Sequence, residues 1–287
     1  MYKRIVVGTD LSKTARFATD RAAILAKALG AELYLVHAGR DPGEPLKQQA
    51  DEYGAEAIVT SGSPADVLVS ETERVDADLL VVGSVGMSGA RRFLLGSVPN
   101  KVSHHAATDL LIVKTDPPPR EIAPYKKMMV GTDGSPTATK AVRAILELAV
   151  TLDARPLIIT AYEPLTESEM NQLRSDPNDP VAQWSASKVS RGTPEEFRWR
   201  IADAVQAKDV LERASELADE RGVDADIRTV EGNPAEVLIS LAENEDVELI
   251  AVGSVGMTGA QRFTLGNVPN RITHHAPTDV LILKTTS

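Results

Sequence analysis

The segment Val82-Gly83-Ser84-Val85-Gly86-Met87-Ser88-Gly89-Ala90-Arg91-Arg92-Phe93-Leu94-Leu95-Gly96-Ser97 gathers the residue types that hold an oxyanion with backbone alone. An apolar run ends at Gly83, glycines follow at three-residue spacing, and Gly96-Ser97 opens a stretch with helical periodicity. Glycine lets the backbone approach a ligand closely and adopt positive φ. The first N–H groups of a helix lack internal partners and point outward with the positive end of its dipole. Strand exit, glycine loop and helix start together predict an anion site best suited to phosphate. Ser97 can cap the helix or donate its hydroxyl to an oxyanion. Glycines in such a connection can also merely turn the chain, but the coincidence of all three elements favours phosphate. Nothing after the first strand spells Gly-x-Gly-x-x-Gly, and no Gly-Lys-Ser/Thr follows the glycines, so the dinucleotide and Walker A fingerprints are both absent.

The elements that must position this loop occur twice. Tyr2-Lys3-Arg4-Ile5-Val6-Val7-Gly8-Thr9-Asp10 returns as Tyr125-Lys126-Lys127-Met128-Met129-Val130-Gly131-Thr132-Asp133, an offset of 123. Gly83-Ser84-Val85-Gly86-Met87 returns as Gly253-Ser254-Val255-Gly256-Met257, an offset of 170, so the second copy carries 47 more residues between its landmarks. A period this long indicates two domains rather than a solenoid. The expected division is a first domain over 1–115, a proline-rich linker over 116–124 (Asp116-Pro117-Pro118-Pro119 onward), and a second domain over 125–287. The extra length falls in a polar insertion around 163–192, long for a connection. After it, Thr193-Pro194-Glu195-Glu196 has the form of a capping box, and apolar positions at Phe197, Ile201, Val205, Leu211, Ala214 and Leu217 predict a helix. Trp184 and Trp199 in this region read as packing or interface anchors.

Each copy alternates strand and helix. In the first, Arg4–Gly8 is an apolar strand of the kind buried on both faces. Ser12 opens a helix with Ala15, Ala18, Ala22, Leu25 and Ala28 on one side, stopped by Gly30 as a left-handed cap. Strands are predicted at Leu33–His37, Ala57–Thr60, Asp78–Val82 and Leu110–Val113, and helices from Ser63-Pro64 and over Ser97–His105. Five strands alternating with helices predict a mostly parallel, doubly wound α/β sheet in each copy.

The chain has 287 residues, 43% of them hydrophobic and 25% charged, with a formal net charge of −10. That acidity removes the positive field that nucleic acid or an anionic membrane demands, so phosphate must be held locally. The absence of cysteine excludes disulfides, thiolate zinc sites and cysteine nucleophiles. No apolar stretch approaches a membrane span, and the start of the chain does not resemble a signal peptide, so a cytoplasmic protein is expected.

Gly-x-x-Gly, nine residues, then Gly-Ser, carried here by Gly83, Gly86, Gly96 and Ser97, resembles the ATP-binding signature of the universal stress protein family. So do the first-strand ending Val7-Gly8-Thr9-Asp10-Leu11-Ser12, the turn Gly62-Ser63-Pro64 and the closing Thr108-Asp109-Leu110-Leu111-Ile112-Val113-Lys114. The resemblance covers both copies apart from the insertion. It implies the adenine nucleotide alpha hydrolase-like fold, with two tandem five-stranded parallel sheets of strand order 3-2-1-4-5. Ligands in such sheets lie beyond the strand ends where strands one and four meet. The resemblance further implies ATP, ADP or AMP as ligand. Asp10 would lie at the ribose and phosphate side and help hold Mg²⁺. Ala38 would touch adenine through its backbone, and Gly83, Gly86, Gly96, Ser97 and Val98 would wrap ribose and phosphates. In the second copy the matching residues are Asp133 (also for Mg²⁺), Ala161, Gly253, Gly256, Gly266, Asn267 and Val268. Asn267 departs from the family's Ser or Thr, and Arg91 becomes Gln261, so two unequal sites are expected, the second weakened or altered.

Other candidates are set aside. His104-His105 and His274-His275 are adjacent pairs that share no helix face and sit at helix C-termini, where partial negative charge favours imidazolium over a metal role. His37 reads as a packed histidine, and Glu195-Glu196 and Asp219-Glu220 as cap and solvated faces. Arg91 and Arg92 are the only cations near the loop, so binding is favoured over phosphoryl transfer, which needs a fuller clamp. A slow Mg²⁺-dependent ATPase or nucleotidyl enzyme, and an interaction module with empty pockets, are the alternatives. The last strands, Leu110–Val113 and Val280–Leu283, are apolar throughout, yet the family's strand order leaves them at an edge that needs covering. The family covers it by dimerising; here the two copies can supply both halves as an intramolecular pseudo-dimer, with a further homodimer as a second expectation.

Overall fold

Ile5, Val6 and Val7 are fully buried, as a central strand with helices on both faces requires. In a computed structural model, which describes residues 1–85, 95–115, 122–163, 207, 209–255 and 265–284, these residues form β1 (Arg4–Gly8). The first half continues with α1 (Lys13–Leu29), β2 (Glu32–Ala38), α2 (Glu44–Tyr53), β3 (Glu56–Thr60), α3 (Pro64–Arg74), β4 (Leu79–Gly83), α4 (Ser97–His105) and β5 (Asp109–Val113). The second half comprises β6 (Lys127–Gly131), α5 (Pro136–Leu152), β7 (Arg155–Tyr162), a helix α6 described over 209–219, β8 (Asp226–Glu231), α7 (Pro234–Asn244), β9 (Leu249–Gly253), α8 (Asn267–His275) and β10 (Asp279–Leu283).

Local chemistry explains the boundaries. Ser12 accepts a hydrogen bond from the Ala15 N–H at 3.1 Å, and Gly30 closes α1 at φ 64°. Ser63 holds the N-cap position of α3 with Pro64 behind it, but its side chain makes no capping bond. The insertion beyond Glu163, both tryptophans, the Thr193 capping box and the apolar positions Phe197, Ile201 and Val205 lie outside the described residues. Ala214 and Leu217 of α6 face the core as their periodicity predicts.

Strand order within each half is 3-2-1-4-5, with all internal neighbours parallel. The two five-stranded sheets then meet edge to edge, β5 against β10 antiparallel, with Ile112 opposite Val280 and Leu110 opposite Ile282. One ten-stranded sheet results, in the order β3-β2-β1-β4-β5-β10-β9-β6-β7-β8. Both last strands are buried at every position. Pairing them satisfies two open backbone edges and removes ten largely apolar residues from water.

Polar groups lock this seam in two matching clusters. Asp279 accepts from the Lys114 N–H at 2.8 Å, the Tyr125 hydroxyl at 2.6 Å and Arg21 Nε at 3.1 Å. Asp109 accepts from the Lys284 N–H at 2.8 Å, Lys140 Nζ at 2.7 Å and the Tyr2 hydroxyl at 3.2 Å. The Arg21 guanidinium also lies 3.9 Å from the Tyr125 ring centroid, a cation–π contact in a desolvated setting. Lys114 Nζ donates to the Thr273 carbonyl at 3.0 Å, and Lys284 Nζ donates to that of Ser103, so each lysine caps the last helix of the other half.

Burial pushes both lysines down from the ordinary 10.5 to about 8, partly offset by Asp279 for Lys114 and by Asp109 for Lys284. Between pH 8 and 10 the unfolded chain therefore carries protons that the folded protein lacks, and stability rises with pH. Urea midpoints measured across that window should increase. Lys284→Met, which keeps the apolar stem, should roughly halve the slope; an unchanged slope would show that the seam lysines do not titrate there. Among the described residues no helix is long and apolar enough to cross a membrane.

Candidate functional site

In each half strand one lies beside strand four, β1 on β4 and β6 on β9. The crevice where the winding reverses opens beyond their C-terminal ends, at Gly8 and Gly83 in the first half and Gly131 and Gly253 in the second. The loop leaving β1 turns on Asp10, whose Oδ1 accepts from the Ser12 N–H at 3.0 Å; Asp133 does the same with Ser135. Both carboxylates thus shape an Asx turn that delivers the N-cap serine to its helix, a task their position alone did not reveal. The residue that follows takes positive φ in both halves: Leu11 at 61° and Gly134 at 77°. Leucine pays for that conformation, and its side chain packs on the core. At Gly134 that space is taken by α6: a Cβ there would stand 2.7 Å from Val210 Cγ2.

The described ends of the loop after strand four are joined by a hydrogen bond in each half, Gly96 N–H to the Ser84 carbonyl at 2.8 Å and Gly266 N–H to the Ser254 carbonyl at 2.9 Å. Gly86, Gly256, Arg91, Arg92 and Gln261 lie outside the described residues. Gly96 and Gly266 are the N-caps of α4 and α8, with extended backbones and no side-chain capping bond. Of the two roles open to Ser97, capping is therefore excluded: Ser97 and Asn267 both occupy the first helical position, where the side chain stands beside the helix mouth. Pro99 and Pro269 have no N–H, and the Asn100 and Asn270 N–H groups bond back to Gly96 and Gly266. The helix mouth consequently presents the N–H groups of Ser97 and Val98 in one half and of Asn267 and Val268 in the other.

Between these parts the second half encloses a cavity of about 280 Å³. Asp133, Ala161, Gly253, Gly266, Asn267 and Val268 all line it, which brings together every described residue that the motif reading selected in that half. In the first half Asp10, Ala38, Gly83, Gly96, Ser97 and Val98 occupy the matching positions on the same elements. The glycines that end strand four differ in surroundings. A Cβ on Gly83 would meet nothing closer than 3.5 Å, whereas one on Gly253 would stand 2.5 Å from Thr137 Oγ1 and 2.8 Å from the Ala138 nitrogen. The first turn of α5 is drawn onto this strand exit by a hydrogen bond from the Thr137 hydroxyl to the Val255 carbonyl. Thr137 also pairs with Ser135 at 3.5 Å, as Thr14 does with Ser12 at 2.9 Å in the first half.

Among the lining residues that the sequence reading did not select are Ala207 and Val210, which wall the cavity from the α6 side, and Thr160 of β7. Thr160 is 5% exposed and its hydroxyl has no hydrogen-bond partner among the described residues. Its counterpart by strand register is His37, whose Nδ1 lies 3.0 Å from the Thr9 carbonyl. His37 is thus the packed histidine expected. The imidazolium reading of the helix-end histidines needs correction at His104 and His274: burial, then Lys284 for the former and His275 for the latter, hold both below the ordinary histidine value.

Among the described residues no group of three or more His, Asp or Glu side chains could hold a metal ion. A divalent cation in either crevice would take a carboxylate from Asp10 or Asp133 and complete its shell with phosphate oxygens and water.

The universal stress protein family profile matches residues 1–57, 44–114 and 124–284. A universal stress protein of Mycobacterium tuberculosis strain H37Rv is 29% identical over 163 residues, which are 56% of this chain but 98% of that one. A universal stress protein of Archaeoglobus fulgidus DSM 4304 superposes with a TM-score of 0.64 at 17% identity, covering 98% of both chains, a likeness of fold. Another universal stress protein, 26% identical and matched along its whole length to 57% of this chain at a TM-score of 0.39, was solved in complex with cAMP.

Proposed function

This chain belongs to the universal stress protein family, and from that premise we propose that it binds an adenine nucleotide, ATP or its ADP and AMP relatives, at the switch-point crevice of each half. The observation that carries this reading is the convergence of Asp133, Ala161, Gly253, Gly266, Asn267 and Val268 on one cavity. A helix mouth with two outward N–H groups suits phosphates, and the apolar wall formed by Ile159, Val210 and Leu238 suits a base. Mg²⁺ accompanies the phosphates, with Asp10 or Asp133 as its protein ligand. Binding is favoured over turnover because these aspartates already serve as acceptors in their own turns. The chain divides at the 116–124 linker into two nucleotide domains that form an intramolecular pseudo-dimer across β5 and β10. Occupancy of these sites serves a regulatory or interaction role in the cytoplasm.

The two sites are unequal, since Ser97 faces Asn267, His37 faces Thr160 and Leu11 faces Gly134 at matched positions. Mass spectrometry of ligand released from the purified protein should find an adenine nucleotide, and calorimetric titration with Mg-ATP should resolve two affinities. Absence of both released nucleotide and any thermal shift with ATP would overturn the binding reading, and two equal sites would overturn the asymmetry.

A further inference from the structure

The two helices that open onto the crevices, α4 and α8, are nine residues each, too short to be stable without tertiary contacts. At its start each is tied to its own half, Gly96 N–H to the Ser84 carbonyl and Gly266 N–H to the Ser254 carbonyl. At its finish each is held by the other half. Thr273 and Ser103 lie in the last turns, where carbonyls run out of intrahelical N–H partners. Lys114 Nζ, from the first half, donates to the Thr273 carbonyl at 3.0 Å, and Lys284 Nζ, from the second, donates to that of Ser103.

The lysines are in turn fastened to the strand-four loops of their own halves. Ser84 N–H donates to the Val113 carbonyl at 2.7 Å, and the Ser84 hydroxyl accepts from the Thr115 N–H at 3.1 Å, so this loop grips both neighbours of Lys114. Ser254 N–H donates to the carbonyl of Leu283, next to Lys284, at 2.9 Å. Hydrogen bonds and helices thus close a ring. It runs from Gly96 through Ser84 to the end of β5, then across Lys114 to α8. It returns along α8 to Gly266, through Ser254 to the end of β10, and across Lys284 to α4. The ring passes through both crevices and crosses between the halves at the two lysines.

We infer that Lys114 and Lys284 are positioning residues for the nucleotide site of the opposite half, so that each crevice is completed by a cation the other half supplies. The ammonium balances the negative end of the helix dipole and fixes where the N–H groups at the far end point. Those are the groups of Asn267 and Val268 for Lys114, and of Ser97 and Val98 for Lys284. Lysines that served the seam alone would not distinguish one crevice from the other.

This inference rests on the nucleotide reading, and its test separates the two. Val98→Glu and Val268→Glu each place a carboxylate at one helix mouth and leave one working site in the full chain. Lys114→Met, which keeps the apolar stem, is titrated with Mg-ATP in both backgrounds. The second-half site, read in Val98→Glu, should weaken about 3- to 10-fold, the scale of a partly buried cation at a helix end. The first-half site, read in Val268→Glu, should be unchanged. Lys284→Met should give the reverse pattern, and Lys114→Arg, which keeps the cation, should retain most of the affinity. A Lys114→Met effect on the first-half site, on both sites equally or on neither would overturn the assignment. In the ligand-free protein, amide hydrogen exchange over Asn267–His275 should quicken in Lys114→Met but not in Lys284→Met, and equal exchange in the two would also overturn it. Wild-type protein that takes up no ATP would instead overturn the nucleotide reading itself, and the exchange comparison would still judge the crossing.

Discussion

Gly253→Ala is expected to destabilise the protein by about 3 kcal/mol, the upper end of the usual cost of overpacking, while Gly83→Ala should cost less than about 1 kcal/mol. The two glycines sit in identical Gly-Ser-Val-Gly sequences at the ends of equivalent strands. Yet a methyl at Gly253 would press within 2.8 Å of the Ala138 nitrogen and the Thr137 carbonyl carbon, backbone atoms at the start of a helix that cannot turn aside. Relief requires the first turn of α5 to lift and the bond from the Thr137 hydroxyl to the Val255 carbonyl to break. At Gly83 the nearest atoms stand at 3.5 Å, ordinary contact distance. Urea unfolding of the two variants checks this directly, and equal losses would show that α5 is not seated on the β9 exit. If the contrast appears, Gly83→Ala becomes a clean probe of ligand approach in the first half, since binding lost there is not stability lost.

Asp279→Ala should be of similar or larger size, about 3–5 kcal/mol, the range for removing one partner of a buried ion pair. It would strand the Arg21 guanidinium, the Tyr125 hydroxyl and the Lys114 N–H together at the seam. Asp279→Asn should cost clearly less. Burial outweighs Arg21 and the other donors and holds this carboxyl above the ordinary aspartate value, so losing the charge costs little, although the asparagine amide nitrogen must then face a donor, either the Lys114 N–H or the Arg21 and Tyr125 groups. Thermal and urea unfolding of both variants would decide the matter. An alanine variant no weaker than the asparagine one would mean that the seam is held by its apolar strands alone.

Much of this architecture could be read from residues in order. Ile5–Val7 announce a doubly buried strand, Ser12 and Gly30 bracket α1, and Gly96-Ser97 mark the start of a helix that runs to His105 as periodicity predicts. The duplicated landmarks Gly83 and Gly253 locate both crevices. What could not be read depends on contacts between distant positions. Thr160 looks like any strand threonine until the cavity beside it is known. Val210 takes on meaning only because α6 brings it against Gly134. Asp109 and Asp279 read as strand openers, and their burial against Tyr2, Lys140, Arg21 and Tyr125 is settled by how the halves meet. That the cap of α4 is Gly96 and not Ser97 could not be read, because a side chain does not declare whether its own backbone or its neighbour's has already turned helical.

The β5–β10 junction has a consequence for how this molecule is able to vary. In an assembly of two identical chains, any substitution near the axis is made twice, and each copy must tolerate it in both roles. Here one covalent chain supplies both partners, so each position mutates alone. Thr160 can lose the imidazole that His37 keeps, Gly134 can make room for a helix where Leu11 holds a side chain, and Asn267 can replace a serine that persists at position 97. The shared sheet holds the architecture constant while the two crevices are free to become different instruments.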